Sequence, residues 1–356
     1  MKKSLAVLVV MAVIGLLVYS QRANIAARIM ERGIEQRLFA DRVNELEDGL
    51  HLALCGAGGP LPAPKASGPC VAVVAGKRLF VVDVGTDSPR NLGRMRYQVG
   101  NIEAVFLTHF HSDHIDGLGE LATLRWAGGD NTRPLPVYGP EGVGQVVDGF
   151  NSAYAQDFRY RHQHHGDSVA PRSGAGLQAR PFSKPAMGEL ATVIDDGGLT
   201  VEALAVDHSP VDPAVGYRFS YRGRSLLITG DTVKLANIEQ FARGVDLLVH
   251  EALAPNLVNM MSAVASRQGN PIIEKITHDI LDYHASPVAA AETARDAGVG
   301  HLLYYHIVPP LVIPGQKALF LDGAGDIFPD YTIGEDGVEF SLPANSGDII
   351  KTRGGL

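Results

Sequence analysis

The side chains best suited to metal chemistry lie at residues 108–114, which read Thr-His-Phe-His-Ser-Asp-His. This stretch directly follows an apolar run, Ala-Val-Phe-Leu, which predicts a buried strand, so these side chains are expected on the loop that leaves the strand. Imidazole and carboxylate ligands at this density favour a borderline divalent ion, zinc first and manganese or iron next. Alternation along an extended loop directs His109 and His111 to one side, while Asp113 and His114 can turn to a second point. The stretch therefore predicts two metal ions.

Three further candidate ligands stand at or just past the ends of other predicted strands. These are His208, Asp231 and His306, and each alone would pass for an ordinary polar residue at a strand end. Two ions about 3.5 to 4 Å apart can share a hydroxide and hold the attacking and leaving oxygens of a displacement. The predicted metal ligands are His109, His111, Asp113, His114, His208, Asp231 and His306.

The elements that must position these residues are strands interspersed with helices. Strands are predicted over residues 50–54, 71–75, 78–84, 136–140, 199–206, 216–221, 225–229, 245–249 and 302–307. Helices are predicted over residues 117–126, 142–154, 256–280 with a break at 269–271, and 287–297. The last of these begins with Ser286 as its N-cap and Pro287 at its first position.

Two other polar segments allow more than one interpretation. Asp83 ends a predicted strand, either as a turn cap or as a residue that orients a ligand histidine from behind. The segment 159–167 carries three histidines that would line the substrate entrance or bind a third metal, although a solvated loop is preferred. Residues 170–197 are rich in Pro, Gly and Ser and predict a long surface excursion.

Composition favours a globular protein with a large core, since 46 % of the 356 residues are hydrophobic and 20 % are charged. The formal net charge is −8, whereas proteins that bind a phosphate backbone usually carry a basic surface. Nucleic acid is therefore disfavoured as a partner.

The N-terminus has the pattern of a secretory leader. Lys2 and Lys3 precede an uncharged run at residues 5–19, which is shorter than a comfortable membrane span. Both a cleaved signal peptide and an uncleaved signal anchor fit this pattern. Residues 21–48 turn helical and would form a stalk or a helix along the globular body.

The two cysteines, Cys55 and Cys70, flank a loop rich in glycine and proline. In an oxidising compartment a disulfide across that loop is reasonable. Two free buried thiols on neighbouring strands are the alternative.

The order of the candidate ligands resembles the metallo-β-lactamase superfamily over roughly residues 50–310. The resemblance implies an α/β fold of the metallo-β-lactamase type, a four-layer αββα sandwich. It implies that one metal is held by His109, His111 and His208, and the other by Asp113, His114 and His306. Asp231 would bridge the two metals, and Asp83 would support them. Many true β-lactamases of the superfamily carry Cys at the bridging position, so the aspartate points away from antibiotic hydrolysis.

Three segments look like the ribonuclease Z and arylsulfatase branch of that superfamily: Gly-Tyr-Arg at 216–218, His-Glu-Ala at 250–252, and Tyr-His-Ala-Ser at 283–286. The resemblance implies that His284 acts near the scissile bond, oriented by Glu251, and that Asp113 belongs to the catalytic set. A carboxylate-paired imidazole is suited to protonating a departing alkoxide; a solvent-facing position at the helix entry is the alternative for His284. Bacterial ribonuclease Z enzymes place a long tRNA-gripping arm where this sequence has only a tight hairpin.

These observations predict an exported or membrane-anchored dinuclear metal-dependent hydrolase, periplasmic or held by its N-terminal segment. Its substrate would be a small phosphodiester, aryl sulfate or related ester, attacked by a metal-bridging hydroxide. Two Zn(2+) ions are preferred, with Mn or Fe as alternatives, and a homodimer is left open. The competing hypotheses are a ribonuclease Z-like 3′ tRNA-processing endoribonuclease and a metal-containing binding protein with little turnover.

The predicted organisation is a signal peptide or signal anchor at 1–20, a helical linker at 21–48, the hydrolase domain at 49–345 and a tail at 346–356. The walls of the substrate pocket are expected from residues 128–130, 159–197 and 256–280. Their composition does not indicate a particular substrate.

Overall fold

The computed structural model describes residues 2–129 and 131–356 of the chain. Its helices are α1 (Lys2–Leu38), α2 (Arg42–Glu45), α3 (Ser88–Arg94), α4 (Ser112–Ile115), α5 (Leu118–Gly128), α6 (Val143–His165), α7 (Ala236–Phe241), α8 (Pro255–Arg267), α9 (Pro271–Asp279), α10 (Pro287–Ala297) and α11 (Gln316–Phe320). Its strands are β1 (Gly49–Gly56), β2 (Cys70–Ala75), β3 (Arg78–Val82), β4 (Ile102–Phe106), β5 (Leu135–Gly139), β6 (Leu177–Pro181), β7 (Leu190–Asp196), β8 (Leu199–Ala205), β9 (Val215–Tyr221), β10 (Arg224–Ile228), β11 (Leu247–Leu253), β12 (His301–Val308), β13 (Tyr331–Ile333), β14 (Val338–Pro343) and β15 (Ile350–Arg353).

The strands form two mixed sheets. The first has the order β15-β14-β1-β2-β3-β4-β5-β6 and the second the order β13-β12-β11-β10-β9-β8-β7. Strands β3 to β6 run parallel to one another, as do β10 to β13. Strand β8 is antiparallel to β9, which is antiparallel to β10, so β8 and β10 also end at the same edge. The carboxyl ends of the central strands are thereby gathered at one edge of the molecule.

The main core lies between the two sheets, and most central strands are buried on both faces. In β1, Leu50, Leu52 and Leu54 point into the core between the sheets, while Ala53 and Cys55 face the opposite side. A strand buried on both faces has a nearly continuous apolar sequence rather than an alternating one. This accounts for the long apolar runs that made these strands recognisable in the sequence.

Helices cover the outer face of each sheet. Apolar residues of α3, α5 and α6 pack on the first sheet, and those of α7, α8 and α10 pack on the second. Each helix thus buries one stripe against a sheet, which is the requirement for a stable layered fold. The prediction of a four-layer αββα sandwich is confirmed.

The segment at 159–167 was wrongly predicted as a loop. Helix α6 continues to His165 and ends at Gly166, whose φ of 70° terminates it. The polar residues of its last turns had concealed the helix, although histidine near a helix C-terminus is favourable to the helix dipole. His162 Nδ1 donates to the carbonyl of Ala170 (2.9 Å), whereas His164 and His165 are exposed.

The surface excursion predicted for residues 170–197 is also wrong in part, because it contains β6 and β7. These are the edge strands of the two sheets, and most of their side chains are exposed or half-buried. Edge strands need little apolar sequence and tolerate charge. Their hydrogen bonds to β5 and β8 were therefore not readable from composition.

The predicted leader falls within α1, except for Met1, which lies outside the described residues. The part of this helix from Ala6–Glu35 is long and apolar enough to cross a membrane. Its most apolar stretch is not buried against the rest of the protein. The helical prediction for residues 21–48 is met by the second half of α1 and by α2. The division into leader, linker, hydrolase domain and tail stays a prediction.

Candidate metal centre and proton donor

The candidate site lies at the edge of the sandwich where strands from both sheets end. His109, His111, Asp113 and His114 belong to the connection after β4 and to the short helix α4. From the second sheet, the segment after β8 carries His208. The segment after β10 carries Asp231, and β12 contains His306. The seven predicted ligands are therefore brought together from both sheets, although they are widely separated in the sequence.

Four of these residues form a first cluster. His111 Nδ1 lies 3.1 Å from His109 Nε2 and 3.4 Å from His208 Nε2. Asp231 Oδ2 lies 3.9 Å from His109 Nε2 and 3.8 Å from His208 Nε2. One ligand atom from each residue lies within 4.8 Å of the others, so a single cation can contact all four.

The other three form a second cluster. Asp113 Oδ2 is 3.3 Å from His306 Nε2 and 3.6 Å from His114 Nε2. Asp231 Oδ2 is also close here, 3.4 Å from His114 Nε2 and 3.3 Å from His306 Nε2. The same carboxylate oxygen thus lies between both clusters, which is where a bridging ligand belongs. The geometry matches the division that the resemblance implied, and the role of each residue as a ligand stays a prediction.

Hydrogen bonds behind the site select the tautomers of three histidines. Asp83 accepts from His114 Nδ1 (2.9 Å) and from Thr108 Oγ1 (2.8 Å). Thr108 Oγ1 in turn lies 3.0 Å from His109 Nδ1, and the Tyr283 carbonyl accepts from His208 Nδ1 at 2.9 Å. With each Nδ1 donating backwards, each Nε2 presents a lone pair to the centre. Asp83 therefore orients ligand histidines instead of only capping a turn.

His306 reaches the site through a bulge, not through a strand end as predicted. In the pairing of β11 with β12, Glu251 lies opposite Tyr305 and Ala252 opposite Ile307, so His306 is the extra residue. Its φ is 45°, a left-handed conformation that re-aims the side chain out of the sheet. Gly59 makes room for the ring, since a Cβ at that position would lie 3.0 Å from His306 Cε1.

The electrostatics of the buried residues fit a cationic ligand. Burial holds the pKa of His109 well below its ordinary value, which keeps that imidazole neutral and able to coordinate. Burial alone would lower the pKa of His114, but the carboxylates of Asp231 and Asp83 raise it well above its ordinary value. His114 Nε2 and Asp231 Oδ1 are buried without a hydrogen-bond partner. A divalent cation in place of the proton between these groups would satisfy both.

A buried carboxylate and imidazole pair lies beside the clusters. Glu251 Oε1 accepts from His284 Nδ1 (3.0 Å), from the Ala285 amide (3.0 Å) and from the Thr232 amide (3.1 Å). Burial opposes the charged imidazole, but the Glu251 charge prevails and raises the pKa of His284 to about 9. The Glu251 carboxylate thus favours the protonated form of His284, and its Nε2 is the nitrogen left to face a substrate. The alternative, a solvent-facing residue at a helix entry, is excluded because His284 is almost fully buried.

The site opens into a cavity of about 320 Å³. His111, Asp113, Asp231, His284 and His306 form its polar wall. The opposite wall comes from α8, α9 and the loop after β1, and it is largely aliphatic. Of the predicted pocket walls, only residues 256–280 contribute to this lining. Within 128–130, Asp130 lies outside the described residues.

The loop after β1 is the part of the pocket that the sequence did not reveal. Cys55 and Cys70 form a disulfide at its base, which decides between the two alternatives for the cysteines. The Asp336 carboxylate accepts from the Ala57 and Ser67 amides, both at 2.8 Å. These contacts tie the loop down and place its apolar tip, at Leu61, over the cavity.

Two groups that orient the histidines of the site were also not identified from the sequence. Thr108 directly precedes His109 in the sequence, and that adjacency was the available signal for its role. The Tyr283 carbonyl left no signal, because any residue type supplies a backbone oxygen.

The sequence from residue 78 to residue 307 matches the family described as a beta-lactamase superfamily domain. The chain belongs to the metallo-β-lactamase superfamily. It is 34 % identical over 271 residues to a protein named ribonuclease Z from Mycobacterium bovis (strain BCG / Pasteur 1173P2), covering 75 % of this chain and 89 % of the relative. This places the chain in the ribonuclease Z branch of the superfamily and makes it a metal-dependent hydrolase.

Solved structures of the superfamily have the same fold. The metallo-beta-lactamase fold protein YhfI from Bacillus subtilis superposes with a TM-score of 0.59 at 19 % identity, covering 83 % of this chain and 100 % of that protein. The short form of human tRNase Z superposes with a TM-score of 0.57 at 20 % identity, covering 82 % and 99 %.

The metallo-β-lactamase fold typically binds two metals, and both clusters of this chain can hold one. As expected from the sequence, β9 and β10 are joined by a tight hairpin in which Tyr221 pairs with Arg224.

Proposed function

We propose that this protein hydrolyses phosphodiester bonds, with His284 as the proton donor to the leaving group. The observation that supports this is the pairing of the buried Glu251 with His284, because His284 lines the same cavity as members of both clusters. Two divalent ions, zinc being preferred for this ligand set, would supply an activated water and positive charge for the developing oxyanion. Glu251 fixes the Nδ1 proton, so Nε2 donates its proton to the departing alkoxide.

The names of the relatives favour RNA as the substrate. The curated relatives are named ribonuclease Z, and they are matched over most of their length. This supports the ribonuclease Z alternative better than the small-ester hypothesis, and it conflicts with the expectation that nucleic acid is disfavoured.

The cavity supports a different phosphodiester. In the described part of the chain, neither lysine nor arginine lines it, and its outer wall is aliphatic. A small phosphodiester with an apolar leaving group fits such a wall. The aryl sulfate discussed for the sequence would use the same centre and the same proton donor.

We also propose that α1 anchors the enzyme to a membrane, with the globular body in an oxidising compartment. Support comes from the length and apolar character of Ala6–Glu35. The Cys55–Cys70 disulfide is independent support, since disulfides persist mainly outside the reducing cytosol.

The test is metal-dependent hydrolysis of bis(p-nitrophenyl) phosphate and of a precursor tRNA by the full-length chain. We expect His284→Ala to keep its bound metals and to lose about 10²- to 10⁴-fold in kcat on the true substrate class. The matched control is His278→Ala, an exposed histidine on α9, which should behave as wild type. Full activity of His284→Ala on a substrate with an alkoxide leaving group would refute the assigned role, and cleavage of the tRNA alone would select the ribonuclease.

A further inference from the structure

An apolar groove continues from the metal cavity across the protein surface. Leu61 and Met261 line both the cavity and the groove, so the two form one continuous channel. Beyond them the groove is walled by prolines and aliphatic residues from the loop after β1, from α8 and from the segment after β12. A molecule lying in the groove can therefore reach the reacting centre.

The rim of this channel is unusually apolar for a surface exposed to water. Ile273 on α9 is 42 % exposed, and Val312 and Ile313 on the other side are 58 % and 65 % exposed. Ile276, also exposed, lines the cavity itself. Single exposed aliphatic residues are ordinary, but a contiguous patch around a cavity marks a binding surface for something apolar.

Charge indicates what kind of molecule the channel accepts. Of the residues that the structure describes, no lysine or arginine lines either the cavity or the groove. A nucleic-acid strand lying inside the cavity or the groove would find no cation in their lining for its phosphates. An uncharged hydrocarbon chain would gain free energy from every methylene it buried.

If α1 is its anchor, the chain also keeps the globular body near a membrane. Residues 39–41 separate the end of α1 from the start of α2. Arg42, at the first position of α2, is fixed to the body by an ion pair with Glu339 (2.7 Å). This connection fixes the body to the charged second half of α1, so the lipid surface lies within about the length of that half, roughly 30 Å at 1.5 Å per residue.

We propose that the groove binds the hydrocarbon chain of an amphiphilic phosphodiester drawn from that membrane, which places its phosphoryl group at the metal clusters. The substrate class rests on the proposed phosphodiester hydrolysis. In the reaction, a water oxygen forms the new bond to phosphorus and the bond from phosphorus to the leaving alkoxide breaks. The alkoxide takes a proton from His284, and the attacking water releases a proton to solvent, from which His284 is protonated again. The products are a phosphomonoester and an alcohol.

The test uses p-nitrophenyl phosphodiesters whose second ester group is methyl, butyl or octyl. The enzyme is the full-length chain in phosphatidylcholine vesicles, because a detergent would occupy the groove. We expect kcat/KM to rise at least about tenfold from the methyl to the octyl ester, since each buried methylene can contribute a factor of about three to four.

Two variants locate the effect. Ile313→Glu puts a charge in the groove at an exposed position, so folding is not at risk, and it should abolish the preference for octyl while leaving the methyl ester unchanged. Val169→Glu makes the same change at an exposed residue outside the cavity and the groove and should retain the preference. The comparison also corrects for partition of the octyl ester into the vesicles.

A second measurement separates this proposal from the proposed function. Binding of a non-hydrolysable octyl phosphonate is measured by calorimetry after treatment with a chelator. We expect binding to weaken at least tenfold in Ile313→Glu and to be unchanged in Val169→Glu. If these results hold and no phosphodiester is cleaved, the groove is correct and the proposed function is wrong. If phosphodiesters are cleaved without chain-length preference, or a precursor tRNA is cleaved while octyl phosphonate neither binds nor competes, the groove proposal is overturned.

Discussion

Replacing Glu251 by glutamine should separate the orientation of His284 from its charge. The glutamine carbonyl can still accept from the Thr232 and Ala285 amides that now bond to Glu251 Oε1, so the local backbone should stay in place. The negative charge that counters burial of the imidazole is lost. Burial then prevails over the remaining attraction of the Asp231 carboxylate, and the pKa of His284 falls from about 9 towards its ordinary value of 6.5.

The size of the effect follows from the protonated fraction of this side chain. At pH 8 an imidazole with a pKa of about 9 is about 90 % protonated, whereas one with a pKa of 6.5 is about 3 % protonated. Since the acid form of His284 is the active one, activity is present below its pKa and lost above it. Glu251→Gln should therefore lose about 30-fold in kcat at pH 8 and recover part of this loss on acidification.

The assay is the pH profile of kcat for a dialkyl phosphodiester, whose alkoxide leaving group requires a proton, with bound metal measured at each pH. Bound cations lower the pKa of His284 in the wild type and in Glu251→Gln alike. The quantity to compare is therefore the difference in pH between the alkaline limbs of the two profiles. Asp279→Asn, the same change of charge at an exposed carboxylate on α9, should keep the wild-type profile. An unshifted limb in Glu251→Gln with full metal content would refute the assignment of His284 as a proton donor controlled by Glu251.

Three further changes test the centre and its support. Asp231→Ala should reduce the bound metal from two ions to one at most, because its Oδ2 lies between both clusters; elemental analysis showing two would exclude it as the bridge. Asp83→Ala should weaken metal affinity about 10- to 100-fold by releasing His114 and Thr108, and a chelator titration identical to wild type would contradict that role. Cys55→Ser removes a cross-link that spans 15 residues and should cost about 3 kcal/mol of unfolding free energy in urea under oxidising conditions; an unchanged midpoint and slope would show that the bridge adds no stability.

Secondary structure was predictable where one element is buried on both faces or carries its own end signals. The strands β1 and β2 appear in the sequence as apolar runs because both of their faces are covered, whereas β8 was recognisable from the alternation of its side chains. Helix α10 was recognisable because Ser286 accepts from the Ala289 amide as its N-cap (3.1 Å) and Pro287 follows it. The last turns of α6 and the edge strands β6 and β7 were not predicted, since their side chains face solvent and carry no apolar period.

The sequence by itself determined which residues have side chains that can bind a metal, and its family resemblance predicted where a proton donor stands. The spacing of His109, His111, Asp113 and His114 is local, and the type of each side chain limits its chemistry. The position of Glu251 and His284 after a strand and before a helix was equally local.

Only the tertiary structure decided how those residues meet. Residue types do not specify that a bulge turns His306 out of β12, or that one oxygen of Asp231 lies within 4 Å of both clusters. The loop closed by Cys55 and Cys70 and the helices α8 and α9 come from opposite ends of the chain, and only their packing creates the apolar wall of the cavity. Contacts between residues hundreds of positions apart depend on how two sheets stack, and that stacking is set by the whole core rather than by any motif.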